Sequence, residues 1–163
     1  MADPDPMQFS ADVSRWCDGQ KARAEDAFLA IGYAVLREVR EKTPVRTGWL
    51  RANWQIVIKG EAVGMTRPAG GTREHTPFSA QGTAPASAAS GLTMTLRGRV
   101  ELGDVIQIVN PVAYAAPVEF GREIQKKDGS ITHVQGRGMV QQTMADLPRI
   151  AAQAIADLEK RSP

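Results

Sequence analysis

Apolar residues recur at helical spacing from about Ser10 to Lys42, at Val13, Trp16, Ala24, Phe28, Ile31, Val35 and Val39. Arg23, Glu25, Asp26, Arg37, Glu38, Arg40 and Glu41 occupy the rest of the wheel, so the stretch reads as an amphipathic helix. Ser10 stands where an N-cap is expected. Gly19 lies inside the pattern and costs a helix up to about 1 kcal/mol relative to Ala. The stretch therefore allows two helices meeting near Asp18-Gly19, with Lys21 to Lys42 the firm part. No heptad is sustained, which argues against a coiled coil.

The period then changes from helical to alternating within the stretch Thr43-Pro44-Val45-Arg46-Thr47-Gly48-Trp49-Leu50-Arg51-Ala52-Asn53-Trp54. Pro44 drives Thr43 out of the α region and ends the helix, and Gly48 permits a tight reversal. Beyond it Leu50, Ala52, Trp54, Ile56 and Ile58 alternate with Arg51, Asn53, Gln55, Val57 and Lys59, the pattern of a strand with one buried face, closed by Gly60. Trp54 belongs to the core phase with Leu50 and Ile56. Trp49 falls on the opposite phase or in the turn, as an interface aromatic or as a local cap over the helix end.

From Gly60 to Gly91 the periodicity is lost, and Thr76 to Thr95 carries no charged residue. Loops this long inside a compact domain are uncommon and are usually functional or disordered. The expectation is a loop that orders against a neighbouring subunit, with Val63, Met65 and Phe78 as anchors. Leu92 to Leu96 and Val100 to Leu102 alternate, and Val105 to Asn110 is a β-branched run typical of a buried strand, so an antiparallel meander of about three to five strands is expected. Asn110-Pro111 reads as the start of a short helix running to Phe120 and stopped by Gly121, with Pro117 limiting it. Asp128-Gly129, between Glu123-Ile124-Gln125 and Ile131-Thr132-His133-Val134, marks a hairpin. After Gly136-Arg137-Gly138, the stretch Met139 to Arg161 reads as a short helix, a kink with Asp146 as cap and Pro148 in the next first turn, and a longer helix with Leu147, Ala151, Ala154, Ile155 and Leu158 on one face.

The order is that of an α+β fold: a long N-terminal helix, an antiparallel meander sheet with a long inserted loop, a short helix and a C-terminal helix. The length of 163 residues fits one domain, 1–163, with 60–91 as an extended excursion. A net charge of +2 is too slight to point to nucleic-acid binding by counterion release. The single Cys17 forms no internal disulfide and suits a reducing cytoplasm. The start Met1-Ala2-Asp3-Pro4-Asp5-Pro6 lacks the basic and apolar regions of a signal peptide, and no apolar run reaches the roughly 20 residues that span a bilayer, so no membrane partner is expected.

Chemistry is sparse. His75 and His133 have no second ligand at metal spacing and read as solvated loop residues. Cys17 lacks a basic neighbour and reads as a buried or half-buried thiol. Gly136-Arg137-Gly138 and Gly70-Gly71-Thr72-Arg73 fall short of a phosphate loop, and no Gly-x-Ser-x-Gly elbow occurs. The residues point away from an enzyme, and no catalytic, cofactor or metal site is expected.

Thr43-Pro44-Val45-Arg46-Thr47-Gly48-Trp49-Leu50-Arg51 after a long helix resembles the "TP-x-x-TG-x-LR" signature of the gene-product-10-like tail-component or head-tail joining family of long-tailed phages. Asn110, Tyr114-Ala115, Glu119 and Gly121 are similar to its second pattern, and Gly138-Met139-Val140 followed by a helix to its third. The resemblance covers most of the chain outside 60–91 and implies a structural virion protein that completes the tail or joins it to the head. It implies a homo-oligomeric ring, expected to be a hexamer, assembled in the host cytoplasm between neck or connector and tail tube proteins, with DNA passing through without sequence-specific binding. Arg46, Trp49, Phe78, Glu119 and Arg122 are then the expected subunit-interface residues, against the simpler reading that Arg46 and Glu119 pair within one subunit. The alternative is a small non-specific nucleic-acid-binding protein using Arg97, Arg99, Arg122, Lys126, Lys127 and Arg137, cations that are not interleaved with stacking aromatics.

Overall fold

The computed structural model describes residues 6–58 and 100–160. The expected loop 60–91 with Val63, Met65 and Phe78, the expected strand at Leu92 to Leu96, and His75, Arg97 and Arg99 lie outside the described residues. The described elements run α1 (Pro6–Lys42), α2 (Trp49–Ala52), β1 (Gln55–Ile58), β2 (Ile106–Val109), α3 (Ala115–Phe120), β3 (Gly121–Gln125), β4 (Ile131–Gln135), α4 (Met139–Ala145) and α5 (Leu147–Glu159). The fold is α+β, with a long N-terminal helix, two small antiparallel sheets, a short helix and a C-terminal helix.

Helix α1 is unbroken for 37 residues. A Cβ at Gly19 would meet nothing, and the helix passes through it. Ser10 consequently sits inside the helix rather than at its start. The buried positions are Leu29, Gly32, Leu36 and Val39, whereas Val13 and Trp16 are exposed. Every residue from Pro6 to Ala24 is exposed, Cys17 among them, so the N-terminal half of α1 is an arm standing clear of the body.

Strands β1 and β2 pair antiparallel, Ile56 opposite Ile108 and Ile58 opposite Ile106. Gly32 lets α1 approach this sheet closely, since a Cβ there would lie 3.2 Å from Ile106. Val57 is buried as well as Ile56 and Ile58, so β1 is covered on both faces rather than one. The expected strand at Val100 to Leu102 is a turn instead, closed by Asp104, whose backbone N–H donates to Glu101 and whose carboxylate accepts from Glu101 N–H at 2.8 Å. Strand β2 is only half-buried, and Val105 is exposed. The hairpin β3–β4 pairs Gly121 with Gln135 through to Gln125 with Ile131, and its turn holds Gly129 at φ 83°. His133 therefore lies in a strand, its Nδ1 3.2 Å from Glu123 directly opposite, and both side chains are exposed.

One hydrophobic cluster joins α1 (Leu29, Leu36, Val39), the turn after it (Leu50, Trp54), the first sheet (Ile56, Ile58), Val100, Val112 and Met139 of α4. Helix α5 buries Ile150 and Ala154 and leaves Ile155 exposed, a stripe rotated from the expected one. Asp146 makes no capping hydrogen bond. Its carboxylate instead binds Lys42 Nζ at 2.5 Å, Lys42 reaches Glu38 at 3.2 Å, and Arg149 lies 3.0 Å from Glu38 and 3.5 Å from Asp146. The order of these pairs sets α5 antiparallel to α1.

The hydrogen bond from Lys42 holds the Glu38 and Asp146 carboxyls below their ordinary values of 4.5 and 3.8. Burial works against the Lys42 ammonium, but bonds to Asp146 and Glu38 outweigh it and raise its pKa above 10.5. The depressed carboxyls add stability that is complete above their unfolded values and drains as pH falls through the lower folded ones; the Lys42 contribution is complete below its unfolded value and lost at high pH. Urea midpoints measured from neutrality down to about pH 3 should therefore fall more steeply for the natural chain than for Lys42→Met. Equal slopes would show that the network adds nothing.

Candidate functional site

Pro44 leaves the end of α1 with carbonyls that no following turn satisfies. Side chains from the next few residues fill the need. The Thr43 hydroxyl donates to Val39 O at 2.6 Å and accepts the Trp54 indole N–H at 2.8 Å. Arg51 donates to Thr43 O at 2.8 Å and Glu41 O at 3.4 Å, placing a cation at the negative end of the helix. Arg40 closes the loop by donating to Trp54 O at 2.6 Å, and burial holds its pKa below the ordinary arginine value.

Gly48 adopts φ 74° and opens α2, so the expected alternation begins with a helical turn and becomes a strand only at Gln55. Leu50 and Trp54 still reach the core because they are four residues apart, about one helical turn, which brings them to the same side. Asn53 is fully buried, with its amide donating to Trp49 O at 2.8 Å.

Asn110 ties this corner to the middle of the chain. Its amide donates to Leu50 O at 2.8 Å while its carbonyl accepts Val112 N–H at 3.1 Å. The amide is thus used across the fold rather than as a helix cap, and α3 begins later than expected, at Ala115, with Tyr114 in the N-cap position.

Glu119 ties the middle to the C-terminal helices. It is only 7% exposed, and its two oxygens accept the backbone N–H groups of Val140 and Gln141, each at 3.0 Å. Helix α4 follows Gly138 and has no N-cap side chain of its own, so a carboxylate from α3 supplies the acceptors and the favourable charge. The close approach needs Gly136: a Cβ there would lie 2.2 Å from Glu119 O and 2.7 Å from Gly121 N. Gly138 N–H and Arg137 N–H donate to Glu119 O and Val118 O, which completes the crossing.

The expected interface residues separate on this frame. Arg46 is exposed on the turn after α1, and Arg122 is exposed at the base of the hairpin. Trp49 is half-buried and packs against the core cluster. Glu119 is occupied within the chain, and its partners are the α4 amides rather than Arg46. Phe78 lies outside the described residues. Sequence reasoning named Thr43, Arg51 and Gly136 without finding their roles as hydroxyl bridge, helix-end donor and close-approach glycine. The signal for Glu119 was present, since a helix opening Gly-Met-Val without a capping side chain requires a remote acceptor.

Beside the junction an open groove of about 480 Å³ runs between α3 and the start of α4, lined by Trp54, Ala115, Ala116, Phe120, Met139 and Val140 among others. Its walls are mostly apolar, with Asn110, Glu119 and Gln141 as the polar members, and the Asn110 and Glu119 side chains are engaged by backbone, so it suits an apolar side chain rather than a reacting substrate. Among the described residues no three of His, Cys, Asp or Glu converge as metal ligands, and no helix is long and apolar enough to cross a membrane. No protein-family model matches the chain, and no curated protein or solved structure is significantly similar to it.

Breaking either tie should cost stability. Thr43→Val leaves the Trp54 indole N–H without an acceptor, and Glu119→Gln replaces a charged acceptor pair at a helix N-terminus by a neutral amide. Each is expected to lower the unfolding free energy by about 1–3 kcal/mol in urea titration, with Thr43→Ser close to the natural chain. A Glu119→Gln chain as stable as the natural one would remove the assigned role.

Proposed function

We propose that this chain is a non-enzymatic structural virion protein, a subunit of an oligomeric ring at the head-tail junction or the end of a phage tail tube. The observation that carries the reading is the meeting of the three motif-bearing stretches in one junction. Leu50 of the first is bonded to Asn110 of the second, and Glu119 of the second to Val140 of the third. Residues spaced widely in sequence are expected to form a shared pattern when they hold one another in place, and these do.

Two features suit a ring subunit. The junction and core make a stiff body, and the β3–β4 hairpin projects from it with Ile124, Ile131 and Val134 exposed. An isolated two-stranded hairpin is marginal in water, so a neighbouring surface is its natural complement. Closed cyclic assembly uses such heterologous contacts, one patch of a subunit meeting a different patch of the next.

Electron microscopy of the purified chain with and without isolated tail tubes tests the reading. Rings, or density capping tube ends, are expected. A chain that stays monomeric beside uncapped tubes, and that binds DNA with steep salt dependence, would replace this reading by the nucleic-acid-binding one.

A further inference from the structure

The arm of α1 carries an apolar stripe with no cover among the described residues. Phe9, Val13 and Trp16 fall at i, i+4 and i+7, one face of the helix, and Phe9 and Trp16 are each 66% exposed. The same face continues by steps of three and four through Gln20, Ala24, Ala27, Ile31 and Val35 to Glu38 and Lys42, the residues that bind α5. Helix α5 is 13 residues long, or about 20 Å, and ends before it reaches the arm. The stripe is thus the free continuation of an interface the chain already uses, overhanging the body by roughly 28 Å.

A lone helix of this length is marginal in water, and Gly19 weakens it further. The Asp12–Arg15 pair adds at most a few tenths of a kcal/mol. A surface that receives the stripe would account for the helix.

The chain itself offers such a surface. The α3–α4 groove is open and mostly apolar, with the small residues Ala115 and Ala116 and the 83% exposed Phe120 in its lining. The arm cannot fill the groove of its own subunit, because α1 runs straight through Gly19 and carries the stripe away from the body. Phe9 and Trp16 together can bury about 300–500 Å², a large share of the roughly 800 Å² per partner in a stable interface.

We infer that the arm of one copy of this chain lays Phe9, Val13 and Trp16 into the α3–α4 groove of a second copy. The contact is heterologous, so each subunit gives one arm and receives one, and repetition yields a ring or an open chain. Closure into a ring rests on the function proposed above; the pairing of the two surfaces does not.

The test uses full-length chains in sedimentation velocity. Phe9→Ser plus Trp16→Ser removes the stripe, and Ala116→Trp blocks the groove; all three positions are exposed, and circular dichroism checks that the fold is kept. Phe120→Ser serves as a second groove variant. The natural chain is expected to form oligomers, each variant alone to run as a single chain, and an equimolar mixture of arm and groove variants to stop at one-to-one dimers. An Ala116→Trp chain that still pairs with itself means arm-to-arm contact and overturns the inference. Variants as large as the natural oligomer overturn it while leaving the ring reading intact, because another surface then joins the copies. A natural chain that is monomeric throughout, its arm covered from within, overturns it as well.

Discussion

The hydroxyl of Thr43 holds the corner of this fold. Pro44 stops α1 by steric exclusion, and an abrupt helix end in the interior is costly unless its carbonyls find donors. Thr43 binds back to Val39 and receives Trp54, while Arg51 covers the carbonyls of Glu41 and Thr43. These bonds fix the direction in which β1 leaves and therefore the face of the sheet that Gly32 allows against α1.

From that corner the constraints propagate by contact. Asn110 takes the Leu50 carbonyl and sets where α3 begins; α3 places Glu119 under the amides that open α4; α4 and α5 return to α1 through Lys42, Glu38, Asp146 and Arg149. The circuit closes on the helix where it started. Most of its polar side chains are engaged in holding elements together, and among the described residues the outward surfaces are the α1 arm, the hairpin and the groove.

Much of the architecture was legible as periodicity. The helix ending at Lys42, the hairpin around Asp128-Gly129, the break at Gly136-Arg137-Gly138 and the paired C-terminal helices follow from spacing and turn chemistry. What misled was local pattern shared by two structures. Leu50, Ala52 and Trp54 alternate as a strand does, yet the first two lie in a helical turn opened by the positive φ of Gly48. Asn110-Pro111 has the chemistry of a helix start, but the Asn side chain binds a carbonyl 60 residues away, a competition invisible in sequence. Val13 and Trp16 sit on a helical stripe as core residues would, and only the fold shows that the core ends before reaching them. Glu119 was expected at a subunit interface or paired with Arg46, and it is instead buried within the chain, where it accepts the amides that open the uncapped α4.

The central claim is a division of labour: a junction complete within one chain, and outward surfaces completed by copies of it. Amide hydrogen exchange of the chain before and after assembly measures that division directly. The account predicts that Asn53, Val140 and Gln141 are protected to the same degree in both states, and that 6–24 and the β3–β4 hairpin gain protection only on assembly. An arm already protected in the isolated chain, or junction amides that become protected only in the assembly, would contradict it.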